Sequence, residues 1–129
     1  MRIGLTGTQV GMNEQQLDAL WVMLQEMEVS EFHHGDCIGA DEQAHSIARR
    51  LGIKIIIHPP DISDKRAFCI GYMRQISRKP YLERNQCIVD MTEQLIAAPA
   101  SNIEQVRSGT WYTVRYARRN HKQVHLLER

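Results

Sequence analysis

Residues 53–60 read IKIIIHPP. Three consecutive isoleucines, with a fourth two positions earlier, make a run too short for a helix and too apolar for a strand with one wet face. β-branched side chains favour extended backbone, and a strand that is apolar at successive positions has to be covered on both sides. The paired prolines stop it, because proline offers no N–H to a ladder. Such a strand predicts a parallel sheet with helices on both faces.

The flanking sequence supplies those helices. Upstream, Ala40, Ala44, Ile47, Ala48 and Leu51 recur at helical spacing, and Gly52 ends the run. SEFHHG (30–35) is a second strand. Leu17, Leu20, Trp21, Leu24 and Met27 form the apolar stripe of an earlier helix, with Asn13 as its cap and Gln16 three residues on. RIGLT (2–6) is a first strand running into GTQVG. Downstream, residues 59–79 mix turn residues with one short helical candidate, roughly Lys65 to Ile76. Pro80 suits the first turn of a helix through YLERNQCIVDMT. EQLIAAP (93–99) is a fourth strand, ASNIEQVRSG a loop, TWYTVRYARRN a helix and KQVHLLE (122–128) a final strand.

Strands alternating with helices call for right-handed parallel crossovers. The expected fold class is therefore α/β: a doubly wound parallel sheet of about five strands in the order 3-2-1-4-5, as a single domain over residues 1–129. Ligands in such sheets bind beyond the carboxyl ends of the strands, where the strand order reverses. Here that point lies between the first and fourth strands. The loops leaving strands one, two and four, TGTQVG, GDCIGAD and ASNIEQVRSGT, all carry glycine and should open on one edge.

Composition narrows the class. At 43% hydrophobic and 24% charged residues the chain has the make-up of an ordinary globular domain. No apolar run approaches the roughly 20 residues that cross a bilayer, so no membrane partner is expected. Cys37, Cys69 and Cys87 are odd in number and form no C-x-x-C pair. That pattern suits a reducing, cytoplasmic setting. The net charge is only +1, yet residues 1–64 hold 4 Lys and Arg against 10 Asp and Glu, and residues 65–129 hold 12 against 5. The basic half either supplies cations to an anionic ligand or is a set of solvated helix faces.

FHHGDCIGADEQAH (32–45) invites a metal reading. His33 and His34 are consecutive in a strand and point to opposite faces. Asp41 and His45 share a helix face, but the usual ligand spacings are missing. No metal is expected, and His45 is read as a partner of Asp41 or a partly buried core residue. An anion cradle fits better. Gly35 and Gly39 let backbone approach a ligand, and the loop opens into a helix whose first N–H groups are free. Ser108 and Gly109 repeat the device, with Thr110 adding a hydroxyl. Carboxylates at Asp36 and Asp41 oppose bare phosphate and suit a ribose diol, so a nucleotide satisfies both sets; Asp41 could equally complement the helix start. Arg84 is a candidate phosphate fork or a solvated arginine, and Asn85 a buried hydrogen-bonding hinge. Trp111, Tyr112 and Tyr116 are core residues or a stacking platform.

These elements together resemble a known family. The TGT loop (6–8), GDCIGADEQAH (35–45), ERNQCIVD (83–90) and SGTWYTVRYA (108–117) are similar, in that order, to motifs of the SMF/DprA–LOG superfamily of Rossmann-like domains, closest to its DprA-like branch. The likeness spans most of the chain except residues 59–79. It implies a nucleotide-sized pocket lined by Gly7, Thr8, Gln9, Gly35, Asp36, Gly39, Asp41, Arg84, Asn85, Ser108, Gly109 and Thr110. Some members of the superfamily hydrolyse nucleotide N-glycosidic bonds, some bind single-stranded DNA, and others hold nucleotide-derived signals.

Departures from the motifs rank these activities. The LOG hydrolases carry P-G-G-x-G-T-x-x-E, and Thr113 stands where that glutamate would be. An N-glycosidase or (deoxy)ribosyl transferase would have to use Asp41 or Glu83 as its carboxylate. DprA proteins present a broad basic face, whereas this chain is near neutral. A DNA-handling module would rely on Arg107, Arg115, Arg118, Arg119 and Lys122. The leading expectation is thus a nucleotide-binding module for an NAD-, ADP-ribose- or nucleotide-like small molecule, without a cofactor and as a homodimer. The enzyme and the DNA-binding module rank after it.

Overall fold

The computed structural model describes all 129 residues. The elements in chain order are β1 (Arg2–Gly7), α1 (Glu14–Glu26), β2 (Glu31–His34), α2 (Ala40–Arg50), β3 (Ile55–Ile57), β4 (Arg74–Gln75), α3 (Tyr81–Asp90), β5 (Gln94–Ala98), α4 (Gly109–Arg119) and β6 (Gln123–Leu126). All six strands run parallel in the order β4-β3-β2-β1-β5-β6. The five expected strands keep their predicted order; two-residue β4 adds a sixth beyond β3.

The period of two along the strands divides the sheet into two packed faces. Ile3 and Leu5 of β1, Phe32 of β2, Ile55 and Ile57 of β3 and Ile96 of β5 join Leu20, Leu24, Ala44 and Ala48 in the main core, under α1 and α2. Leu95 and Ala97 turn the other way and meet Val89 of α3 and Trp111, Val114 and Ala117 of α4. Each fully buried isoleucine or leucine is worth about 1.5–3 kcal/mol relative to exposure, so β3 can be only three residues long and still hold its place. The ends of the helices follow the sequence. Asn13 and Gln16 form a reciprocal capping box on α1, and Ser108 caps α4 by accepting from Trp111 N–H.

The helix expected at roughly Lys65 to Ile76 does not form. Three contacts from outside the segment hold it irregular. Asp36 accepts from the Arg66 guanidinium at 2.7 Å and from the Cys69 amide at 2.8 Å, and its own carbonyl accepts from Ala67 N–H. Phe68 and Gly71 have φ of 55° and 78°, which a right-handed helix cannot contain. The chain then adds β4 to the sheet edge before entering α3, which crosses to the opposite face.

No helix is long and apolar enough to cross a membrane.

Candidate functional site

The strand order reverses at β1, between β2 and β5. Beyond the carboxyl ends of β1 and β5 lies a cleft of about 430 Å³. Gly7, Thr8 and Gln9 form one wall, Ser108, Gly109 and Thr110 the opposite one, and Tyr81, Ala100, Gln105 and Trp111 complete it with Val10. No charged side chain is among the lining residues. The volume falls in the usual range for small-molecule sites, about 300–1,000 Å³.

The start of α4 gives this cleft its polarity. Trp111 N–H is taken by Ser108 Oγ and Tyr112 N–H by the Ser108 carbonyl. The Gly109 and Thr110 amides come before any intrahelical partner and are left to the opening. No acidic residue occupies the first turn of α4, so the partial positive charge of the helix end is uncompensated. Trp111 is buried, and its indole Nε1–H has no partner within the protein. A buried donor without an acceptor costs about 1–3 kcal/mol.

The loop after β2 is organised differently. Gly39 has φ of 88°, and a Cβ there would come within 2.6 Å of the Thr8 carbonyl oxygen. This close approach lets Ala40 N–H donate to that carbonyl at 2.9 Å, so the first amide of α2 is already used. Asp41 accepts from the Gly35 and Cys37 amides with one carboxylate oxygen. Burial pushes its pKa up to about 6 even with the Arg84 cation nearby. Asp36, fully buried, holds Arg66 and Cys69 as described above. Gly35 is the seat of Arg84: any Cβ would collide with the guanidinium.

Arg84 itself is buried. Its guanidinium donates to the carbonyls of Gly35 and His58, to Asn85 Oδ1 at 2.7 Å and to the Cys37 thiol, and lies over the Tyr81 ring at 4.7 Å. A buried cation needs that many acceptors. Six of the twelve expected ligand residues therefore line the cleft: Gly7, Thr8, Gln9, Ser108, Gly109 and Thr110. The other six, Gly35, Asp36, Gly39, Asp41, Arg84 and Asn85, form a hydrogen-bonded layer behind it. Glu83 is exposed on α3 and, like Asp41, does not line the cleft. Ala100 and Gln105 were not singled out from the sequence. The rule that ligands sit beyond the carboxyl ends of strands at the reversal would have pointed to both.

The histidines fall on opposite faces as alternation requires. Asp36 N–H donates to His34 Nδ1 at 2.9 Å, which puts the proton of that ring on Nε2. His34 Nε2 then meets His45 Nδ1 at 2.9 Å, and His45 Nε2 donates to the Ile70 carbonyl at 2.6 Å. His45 thus pairs with His34 and not with Asp41. Cys69 brings a thiol close enough that all three donor atoms lie within 4.8 Å of one another. An ion there would have to displace the proton that His34 gives to His45, while the Asp36 amide blocks its return to Nδ1. The other pair, His33 and His58, shares a 2.8 Å bond, with Glu31 on the far nitrogen of His33. Burial lowers the pKa of His33, takes that of His34 well below its usual value and brings His58 to about 3.

No protein-family model matches the chain, and no curated protein matches it significantly. Its fold is found among solved structures. The molybdenum cofactor binding protein of Rippkaea orientalis superposes with a TM-score of 0.71 at 19% identity, over 97% of this chain and 74% of that one. The DNA processing protein A (DprA) of Streptococcus pneumoniae gives a TM-score of 0.71 at 19% identity, over 97% of this chain and 49% of that one. The DprA of Helicobacter pylori, described with a single-stranded DNA binding mode, gives 0.67 at 16% identity, over 98% and 64%. The chain thus spans about half the length of the pneumococcal protein. At these identities the likeness speaks for the fold alone: the chain has the Rossmann-like α/β fold that these proteins share.

Proposed function

We propose that the protein binds a nucleotide, its phosphate held by the Gly109 and Thr110 amides at the start of α4. One observation carries this reading: an acid-free helix N-terminus opens, with its first amides unused, into a neutral cleft at the point where the strand order reverses. Ser108 and Thr110 add hydroxyls, and Gln9 faces them from the β1 loop. The layer behind, from Gly35 to Asp41 with Arg84 and Asn85, holds the β1 and β2 loops in register and does not itself touch the phosphate.

Binding is favoured over N-glycoside hydrolysis because the LOG hydrolases carry a glutamate where this chain has Thr113, and no carboxylate lines the cleft assigned to the phosphate. A second reading, recognition of single-stranded DNA, draws on the likeness to a DprA described with such a mode. It predicts binding that weakens steeply with salt.

Ser108→Asp separates the binding role from folding. Aspartate preserves the cap and suits a helix start, but it places a negative charge against the phosphate. Calorimetry with AMP and ADP-ribose should give at least about a tenfold loss of affinity, about 1.4 kcal/mol, with an unchanged melting temperature. Unchanged affinity rejects the site.

A further inference from the structure

A second cleft, of about 410 Å³, adjoins the first and shares Gln9 and Tyr81 with it. Segment 59–79, which the superfamily motifs do not cover, builds its outer wall. The two clefts are chemically opposite. The first is uncharged and faces free amides. The second is walled by Pro60, Ile62, Pro80 and Tyr81, and carries Asp61 and Asp64 against the single cation Lys65. Two carboxylates to one ammonium repel a phosphate and accept hydrogen bonds from neutral N–H and O–H groups. Ile62 is 67% exposed, so a flat apolar guest gains by covering it. Tyr81, which this cleft shares with the first, offers it an aromatic wall.

We infer that the second cleft receives the base of the nucleotide whose phosphate the α4 amides hold, so that the ligand lies across Gln9 and Tyr81. This deepens the reading above and rests on it. The guest is an aromatic heterocycle joined to a phosphate, and its hydrogen-bond donors, either an exocyclic amino group or the ribose diol, face Asp61 and Asp64. An alkyl chain would leave both carboxylates unpaired, and a second phosphate would be repelled by them. The inference also gives segment 59–79 a purpose: Asp36, through Arg66, Ala67 and Cys69, fixes the wall against which the base rests.

The test compares AMP with ribose 5-phosphate by calorimetry, on the wild-type protein and on the double variant Ile62→Ser, Asp61→Asn. Both positions are exposed, so the fold should survive, as circular dichroism will verify. The wild type should bind AMP at least about tenfold tighter than ribose 5-phosphate. In the variant that preference should vanish while ribose 5-phosphate binds as before. An oligo(dA) strand run alongside distinguishes a free nucleotide from one within a strand; with either, loss of the base contribution in the variant supports the cleft. Equal affinity of the wild type for AMP and ribose 5-phosphate overturns the inference and leaves the phosphate site standing, as does a variant that keeps the preference. If neither compound binds, the phosphate site fails and the base cleft with it.

Discussion

Two helix N-termini in this molecule are expected from their glycines to cradle an anion, and they have opposite fates. At α2 the first amide is spent on the Thr8 carbonyl, Asp41 and Glu42 load the first turn with negative charge, and Asp41 ties the preceding loop to the helix. At α4 the first turn carries no acid, Gly109 and Thr110 keep their amides free, and a cleft lies in front of them. Glycine and a helix start are common to both, so neither makes an anion site. What separates them is whether the protein has already supplied the acceptors. The α2 end is a clasp between β1, β2 and α3, whereas the α4 end is a socket.

The sharpest way to break this contrast is at the clasp. Arg84→Ala should cost about 3–5 kcal/mol, because it leaves the Gly35 and His58 carbonyls without their donor and Asp41 without the neighbouring cation. Chemical denaturation measures this loss directly. Ser108→Asp, by contrast, should alter affinity and leave stability alone. Equal destabilisation by the two would remove the distinction between clasp and socket.

A smaller effect comes from pH. His33, His34 and His58 have pKa values lowered by burial, so the unfolded chain binds protons near pH 6.5 that the folded one refuses. Stability is therefore fully present above about pH 6.5 and falls as the pH drops toward 3. Asp41 works the other way. Its folded pKa of about 6 lies above the usual carboxylate value, so its cost is present above pH 6 and is relieved between 6 and about 4. Three groups oppose one, and the melting temperature should fall by more than about 5 °C between pH 7 and pH 4. His58→Gln should flatten that slope; a profile that stays flat in the wild type contradicts the neutral, buried state of these rings.

Much of the architecture was legible before the coordinates. Apolar periodicity and turn residues located the five main strands and four helices, and Asn13 with Gln16 announced the cap of α1 because capping is local in sequence. Segment 59–79 was not legible. Its shape is set by Asp36, some thirty residues away, acting on Arg66 and Cys69, and no periodicity encodes such an anchor. Arg84 was equally opaque. Nothing in ERNQ tells a solvated guanidinium from one sunk against Gly35, because the Gly35 and His58 carbonyls that accept from it lie far away in the sequence. The cleft was half legible. The glycines of the β1 loop and of Ser108–Thr110 marked its walls, but composition could not show that the similar glycines at 35 and 39 were packed shut.

The most direct measurement is an amide NMR titration with AMP. The account predicts the largest shifts at Gly109 and Thr110, with those of Gly35, Cys37 and Ala40, already bonded within the protein, nearly unmoved. Shifts concentrated at residues 35–40 with α4 silent would contradict it.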